Sequence, residues 1–213
     1  KMIPATSSIS LTLENMFTTT SVSFLPDSAS HDEFYINGVL QDDKEHAKIS
    51  AIIDQYRGQR SEYVKVETSN NMPTAAGLSS SSSGLSALVK ACNELFETGL
   101  NQAELAQKAK FASGSSSRSF FGPLAAWDKD SGEVYPVQTD LKLAMIMLVL
   151  SDSKKSISSR EGMKRCVETS TTFADWVKQS EQDYKDMLGY LKNNDFERVG
   201  ELTERLSLIH ISE

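Results

Sequence analysis

The stretch Asn71–Gly84, NMPTAAGLSSSSSG, is the segment around which the fold of this chain is predicted. An alternating apolar segment containing Tyr63, Val64 and Val66 precedes it, and a helical apolar pattern from Leu85 follows it. This order predicts a strand, a glycine- and serine-rich loop and the start of a helix. Backbone N–H groups are unpaired at a helix start and the helix dipole is positive there, so such a loop favours an anion such as phosphate.

Two interpretations of the serine run stay open at this point. Serine runs are usually solvated linkers, and serine is a good helix N-cap in any protein. The flanking strand and helix leave little room for a linker, which favours the anion site. The P-loop spacing GxxxxGK[ST] and the dinucleotide fingerprint GxGxxG are both absent. The residues alone therefore predict an anion site at a helix N-terminus without naming the anion.

Three ordered motifs resemble one known family. PTAAGLSSSSSG, residues 73–84, resembles the PTAAGLASSA loop of diphosphomevalonate decarboxylases, which belong to the GHMP kinase superfamily. ASGSSSRSFFGPLAAW, residues 112–127, is similar to that family's SGSAxRSxxG motif. SSREGM at 158–163, with VETS behind it, matches the bacterial form. The likeness runs from about Lys1 to Arg205.

The pattern of elements predicts an α+β fold in two parts. Strand and helix patterns are mixed up to about Asp152, and helical patterns dominate beyond it. The resemblance implies a ribosomal-S5-like N-terminal domain with a layered sheet over residues 1–151, followed by the opening helices of a C-terminal domain over 152–205. The apolar ending at 206–213, LSLIHISE, departs from the family pattern and is expected to be a non-native tail.

Individual elements follow from local signals. Strands are predicted at Ser8–Glu14, Thr18–Leu25 and Glu33–Ile36, with a hairpin turn at Asn37–Gly38. A helix from Asp42–Asp43 to Arg57 places Ile49, Ile52, Ile53 and Tyr56 on its apolar face. Asn101 and Glu104 form a predicted capping box. The apolar run Leu143–Leu150 is predicted as a buried strand, and helices are expected over 160–169, 172–191 and 196–206.

The resemblance implies that the serine-rich loop binds ATP. The nucleotide-binding residues would be Asn71, Pro73, Gly77, Leu78, Ser79, Ser80, Ser81 and Ser82. A magnesium ion carried by the nucleotide phosphates would need few protein ligands.

Arg118 stands out as a candidate catalytic residue. It follows five small residues on a predicted short loop, and a guanidinium pairs bidentately with carboxylate or phosphate. The alternative is an ordinary surface ion pair, and a plain N-cap is the alternative for Ser158–Ser159 before Arg160. By resemblance, the substrate-binding residues would be Ser113, Gly114, Ser115, Ser116, Ser117, Arg118, Lys155, Ser159, Arg160, Met163 and Lys48. Arg118 and Arg160 are expected to face one cleft, with the Gly77 loop on an adjoining wall.

The resemblance implies ATP-dependent decarboxylation of mevalonate 5-diphosphate to isopentenyl diphosphate. The family's KYWGK segment would lie upstream of Lys1 and its catalytic DAGPN aspartate beyond Glu213, so this chain is expected to be inactive without them. The rival within the superfamily is a small-molecule kinase, such as a mevalonate or phosphomevalonate kinase. The rival from another class is a non-catalytic S5-like binding module, for example for RNA.

Composition narrows the classes of function. The 213 residues carry a net charge of −7, which argues against a nucleic-acid partner, and no apolar run is long enough to cross a membrane. Cys92 and Cys166 lie outside any CxxC and are predicted to be reduced and structural in a cytoplasmic protein. Serine hydrolase and metal-site patterns are absent, because His31, His46 and His210 fit neither. A homodimer is left open.

Overall fold

The computed structural model describes residues 4–72, 80–146, 157 and 159–211; at 80, 159, 160 and 207–211 it describes the backbone alone. The strands are β1 Ser8–Leu11, β2 Thr18–Phe24, β3 Glu33–Ile36, β4 Val39–Leu40, β5 Val64–Asn70, β6 Leu124–Trp127 and β7 Val134–Pro136. The α-helices are α1 Asp43–Arg57, α2 Ser80–Leu95, α3 Gln102–Ala112, α4 Ser159–Thr169, α5 Phe173–Lys192 and α6 Phe196–Ile211. A 3₁₀ helix spans Gly114–Phe120. This mixture of sheets and helices confirms the predicted α+β class.

The chain forms two compact units. Of the described residues, the first contains 13–72 and 80–120, and the second combines 4–12 with 121–146, 157 and 159–211. The second unit thus joins β1 to strands that follow more than 100 residues later. The domain boundary predicted near Asp152 and the non-native tail predicted at 206–213 stay predictions.

The first unit is built on a four-stranded sheet in the order β2-β5-β3-β4. β5 pairs antiparallel with β2 and parallel with β3, while β3 and β4 form a hairpin. Asn37 and Gly38 connect β3 to β4 with φ of 50° and 78°. Asparagine and glycine tolerate this left-handed conformation better than other residues, which is why the predicted hairpin turn is confirmed.

Helix caps and the apolar face in the first unit form as the sequence predicts. Asp42 caps α1 by accepting a 2.9 Å hydrogen bond from the Glu45 backbone N–H. The predicted face of α1 is buried, with Ile49, Ile52, Ile53 and Tyr56 at 5% exposure or less. Both hydrogen bonds of the predicted capping box are present at the start of α3: the Asn101 side chain accepts from the Glu104 N–H, and the Glu104 side chain accepts from the Asn101 N–H. The four apolar residues of α1 pack with Val64, Val66, Leu88 and others into one core between the sheet and the helices.

The second unit is built on a three-stranded antiparallel sheet in the order β1-β6-β7. Its core contains Leu124, Ala126, Val137, Tyr184, Leu191 and Val199. The Tyr135 and Tyr184 hydroxyls are 2.7 Å apart, which links β7 to α5. β6 and β7 lie on either side of the turn at 129–132.

Four local predictions are corrected. The strand predicted over Ser8–Glu14 ends at Leu11, because its partner β6 begins only after Pro123, which has no N–H to donate. Residues 143–146 do not form the predicted buried strand: Met145 and Ile146 are 57% and 89% exposed, since no described strand pairs with them. Residues 114–120 form a 3₁₀ helix rather than a loop.

The fourth correction concerns the cysteines. Cys92 and Cys166 are both free thiols, as predicted. Burial raises the pKa of Cys92 to about 12, so this thiol is an inert core residue. Cys166 is exposed on α4 and therefore has no structural packing role.

Candidate functional site: the start of α2 and the adjoining 3₁₀ helix

The start of α2 lies inside the serine run. The helix begins at Ser80, so Ser80 to Ser83 form its first turn rather than a loop before it. The first turn contains no acidic residue, and its N–H groups have no helical partner. The helix dipole adds partial positive charge there. The described part of the predicted loop is therefore a helix N-terminus suited to an anion.

The side chains of the first turn face different surroundings. Ser81 is exposed, whereas Ser82 is buried and its Oγ lies 2.5 Å from Ser115 Oγ. Because Ser115 belongs to the 3₁₀ helix, this contact brings the two sequence motifs together. Pro73, Gly77, Leu78 and Ser79 lie outside the described residues, and so does the side chain of Ser80.

The 3₁₀ helix carries the predicted substrate-binding segment. Ser113 ends α3 by donating its N–H to the Ala109 carbonyl at 3.0 Å, and its Oγ lies 3.1 Å from Ser115 Oγ. Gly114, Ser116 and Ser117 are buried. The hydroxyls of Ser113, Ser115 and Ser82 therefore form a continuous chain from α3 to α2.

Two serines of this segment point into the protein. Ser116 and Ser117 are both 0% exposed. Ser117 Oγ donates a 2.8 Å hydrogen bond to the Gly114 carbonyl, while Ser116 Oγ has no hydrogen-bond partner among the described residues. Their assignment to substrate binding stays a prediction, and these buried hydroxyls do not line an open surface.

Arg118 lies near the end of the 3₁₀ helix, six residues after α3. Its side chain is partly buried, and this burial lowers the pKa of the guanidinium from its usual value. A guanidinium normally titrates far above neutral pH, so Arg118 remains cationic. A partly desolvated cation interacts more strongly with an anion than one in bulk water does.

An apolar pocket of about 120 Å³ opens beside the start of α2. Its apolar walls are Phe34, Ile36, Ile49, Leu85 and Leu88, and its polar lining includes Glu45, Lys48, Thr68, Asn70 and Ser81. Lys48 pairs with Glu45 at 3.1 Å and keeps about half of its side chain exposed. An apolar cavity with a few polar groups next to an anion-binding helix start is suited to a ligand with a flat apolar body and an anionic end.

Asn71 has a clear role inside the protein. Its Oδ1 accepts a 2.8 Å hydrogen bond from the Phe17 N–H, and its Nδ2 donates to the Asn15 carbonyl at 2.9 Å. Both polar atoms of the amide thus anchor the end of β5 to the turn before β2. A nucleotide contact by Asn71 stays a prediction.

The remaining predicted residues belong to the second unit. Ser159 and Arg160 open α4, with only their backbone described, and Met163 on the same helix is 64% exposed. Lys155 lies outside the described residues. The prediction that Arg118 and Arg160 face one cleft therefore stays a prediction.

Sequence reasoning missed Ser86 and the pocket. Ser86 Oγ lies 2.8 Å from both the Ser82 and the Ser116 carbonyls, and so contacts both α2 and the 3₁₀ helix. Its place one turn after Ser82, on the otherwise apolar face of α2, was the available signal. The pocket had no local signal, because β3, α1, β5 and α2 each contribute to it.

Two further features are absent from the described residues. No group of three or more histidine, cysteine, aspartate or glutamate side chains there is arranged to hold a metal ion. No helix within the same residues is long and apolar enough to cross a membrane.

Two family models together match almost the whole chain. The diphosphomevalonate decarboxylase-like N-terminal domain matches residues 1–140, and the mevalonate 5-diphosphate decarboxylase C-terminal domain matches residues 145–209. Among curated proteins, the diphosphomevalonate decarboxylase of Candida albicans is 32% identical over 226 residues, covering 94% of this chain and 62% of that protein.

Solved structures agree with this assignment. Mevalonate pyrophosphate decarboxylase from Streptococcus pyogenes is 74% identical with a TM-score of 0.91, covering 97% of this chain and 65% of its own. A second structure, in complex with MVAPP, AMPPCP and magnesium, is 36% identical with a TM-score of 0.80, covering 94% and 64%. The chain thus spans less than two thirds of the length of these relatives. On this evidence, the chain belongs to the diphosphomevalonate decarboxylase family.

Proposed function

We propose that this chain carries nucleotide- and substrate-binding parts of an ATP-dependent decarboxylase acting on mevalonate 5-diphosphate. The product would be isopentenyl diphosphate, the mevalonate-pathway precursor of isoprenoid biosynthesis. The observation that carries the proposal is the direct contact between the start of α2 and the 3₁₀ helix of Arg118, made through Ser82 and Ser115. This contact joins an anion-binding helix start to a cationic segment, as phosphoryl transfer to a bound substrate requires.

In this proposal, ATP binds at the start of α2. Its base would occupy the apolar pocket, where Phe34 and Leu85 form part of the wall, and its phosphates would lie against the first turn near Ser81. Lys48 lines the same pocket in an ion pair with Glu45, so its charge is already balanced there. The relative solved with AMPPCP and magnesium supports a nucleotide with a bound metal ion. The residues present fit this nucleotide, because the first turn of α2 has N–H donors without a helical partner and contains no carboxylate.

Mevalonate diphosphate would bind at the 3₁₀ helix. Arg118 would grip its carboxylate or diphosphate end, and Ser113, Gly114 and Ser115 would support it. Ser159, Arg160, Met163 and Lys155 are proposed as further substrate contacts by their motif alone. The relative solved in complex with MVAPP supports this class of substrate.

The chemistry assigned to the protein is limited to binding and charge stabilisation. ATP supplies the phosphoryl group that converts the tertiary hydroxyl into a leaving group, after which phosphate and carbon dioxide depart. Arg118 would hold the substrate and stabilise developing negative charge with its fixed guanidinium. A kinase of the same superfamily would instead leave a stable phosphorylated product. Measuring carbon dioxide release against that product in the full-length protein separates the two.

We further propose the domain division 1–151 and 152–205, which is supported by the junction of the two family models between residues 140 and 145. A cytoplasmic setting is supported by the two free cysteines. A homodimer is the assembly to test by sedimentation velocity.

The nucleotide site is tested by Ser81→Glu. The new carboxylate would repel the ATP phosphates, so the affinity measured by calorimetry should fall by at least about tenfold. A glutamate in the first turn of a helix favours the helix itself, so unfolding of α2 would not explain the loss.

Ser61→Glu is the matched control for Ser81→Glu. Ser61 is exposed in the same unit and lies before β5, so the variant adds the same charge away from α2. Its ATP affinity should equal that of the unaltered chain. Unchanged affinity in Ser81→Glu would contradict the placement of the phosphates at this turn.

A further inference from the structure

The hydroxyl of Ser86 has two carbonyls of different elements within hydrogen-bonding distance and shares its single hydrogen between them. Ser86 is 7% exposed, and its Oγ lies 2.8 Å from the Ser82 carbonyl within α2 and 2.8 Å from the Ser116 carbonyl in the 3₁₀ helix. Ser82, one turn earlier on the same face of α2, contacts Ser115 through its own hydroxyl. Two consecutive residues of the 3₁₀ helix are thus held by two residues one turn apart on α2.

The 3₁₀ helix has a physical need for such support. It runs for seven residues, whereas 3₁₀ helices seldom exceed three or four because their hydrogen-bond geometry is poor. Ser116 and Ser117 in its centre are fully buried, so the segment cannot relax toward water without exposing core. Hydrogen bonds from α2 therefore help to keep this segment in one conformation.

We propose that Ser86 is a positioning residue that holds the 3₁₀ helix on α2 and thereby fixes Arg118 relative to the first turn of α2. Ser86 contacts neither ligand in this role, and it acts through the Ser116 carbonyl. The part of the inference that concerns substrate rests on the proposed function, whereas the support of the 3₁₀ helix does not.

The first test is backbone amide hydrogen exchange of the chain without ligand. In Ser86→Ala the Ser116 carbonyl loses its donor, and exchange over residues 114–120 should become about tenfold faster. Ser86→Thr keeps the hydroxyl and should restore the slow exchange.

Ser50→Ala is the matched control for this experiment. It also removes one serine hydroxyl bond from a helix of the same unit, the 2.7 Å bond from Ser50 to Asp32. It should leave exchange over residues 114–120 unchanged. Wild-type exchange rates in Ser86→Ala would overturn the positioning role, whatever the ligands do.

The second test is calorimetric binding of two ligands to the same variants made in the full-length protein. Ser86→Ala should weaken mevalonate diphosphate about tenfold while ATP changes less than twofold, because the start of α2 is intact. Equal weakening of both ligands would show a general loss of structure and overturn the selective role. Failure of the unaltered full-length protein to bind either ligand would instead refute the proposed function, and the exchange experiment would still decide whether Ser86 supports the 3₁₀ helix.

Discussion

Arg118 combines charge with a fixed geometry, and these two properties can be separated experimentally. Arg118→Lys keeps the positive charge but removes the planar fork that pairs with two anionic oxygens. A charge-assisted hydrogen bond contributes about 1.5–3 kcal/mol, so affinity for mevalonate diphosphate should fall roughly ten- to a hundredfold while ATP affinity is kept.

Arg198→Lys serves as the control for Arg118→Lys. Arg198 is a surface arginine of the second unit that pairs with Asp195 at 3.5 Å. The same substitution there should leave both affinities unchanged in calorimetry. Normal binding of mevalonate diphosphate by Arg118→Lys would remove Arg118 from the substrate site.

Neighbouring serines in the 3₁₀ helix should respond to alanine with opposite signs. Ser116 Oγ is fully buried with no hydrogen-bond partner among the described residues. Burying this hydroxyl therefore destabilises the fold, because no hydrogen bond offsets the loss of its contacts with water. Ser116→Ala should therefore raise the free energy of unfolding by up to about 1 kcal/mol. The family motif SGSAxRS, which this segment resembles, has alanine at the same place.

Ser117→Ala provides the comparison for Ser116→Ala. Ser117 is equally buried, but its hydroxyl donates to the Gly114 carbonyl, so alanine there should lower the free energy of unfolding by about 1 kcal/mol. Urea denaturation of both variants measures the difference. A loss of stability in Ser116→Ala equal to that in Ser117→Ala would mean that the Ser116 hydroxyl has a partner in solution.

Among the elements, the β6–β7 turn depends on one carboxylate. Asp128 Oδ1 accepts hydrogen bonds from the Ser131 N–H at 2.8 Å, the Asp130 N–H at 3.0 Å and the Ser131 hydroxyl at 3.0 Å. The bond from the Ser131 backbone is the main cause that lowers the pKa of Asp128 from its usual value. A carboxyl with a lowered pKa stabilises the fold above its unfolded pKa, and this contribution is lost as pH falls through the folded pKa.

Asp128→Asn tests this pH dependence. Asparagine can accept the same bonds without the charge, so the melting temperature at pH 7 should fall by about 1–3 °C. The difference from the unaltered chain should then shrink toward zero as the pH is lowered below the folded pKa, where both side chains are neutral. A difference that stays constant down to acidic pH would contradict the assignment.

At the scale of the whole molecule, the net charge of the chain has the same sign as the charge of its proposed ligands. The chain has a net charge of −7, yet the proposed ligands are anions. Long-range attraction therefore cannot drive binding, and affinity must come from donors fixed within a few ångströms, such as the first turn of α2 and Arg118. A nucleic-acid-binding module would instead need an extended basic face.

Local structure could be predicted from the sequence wherever a short-range rule applied. Asp42 and Asn101 cap helices because their side chains reach N–H groups three residues away, and Asn37–Gly38 adopts the turn that its φ preferences allow. The helical spacing also identified the buried face of α1. The prediction of a buried strand is wrong for residues 143–146, because an apolar segment is buried only where another element covers it.

The sequence predicted the motifs of the candidate site but not which residues of the two motifs contact each other. The sequence identified the serine run and the SGSSSRS segment about 30 residues apart, yet no local rule pairs Ser82 with Ser115 or Ser86 with Ser116. Likewise, nothing local indicates that Asp32 accepts from Ser50, Arg57 and the Val64 N–H at once, which ties α1 to the start of β5.

Local structure could be predicted and the assembly of the site could not, because the two depend on interactions over different distances along the chain. Caps, turns and amphipathic faces depend on neighbours within about four residues, so the amino-acid order alone specifies them. The pocket beside α2, the buried hydroxyls of the 3₁₀ helix and the partial desolvation of Arg118 exist only after distant segments pack together. Packing removes water from these groups, and hydrogen-bond and electrostatic strengths then depend on which partners remain within reach.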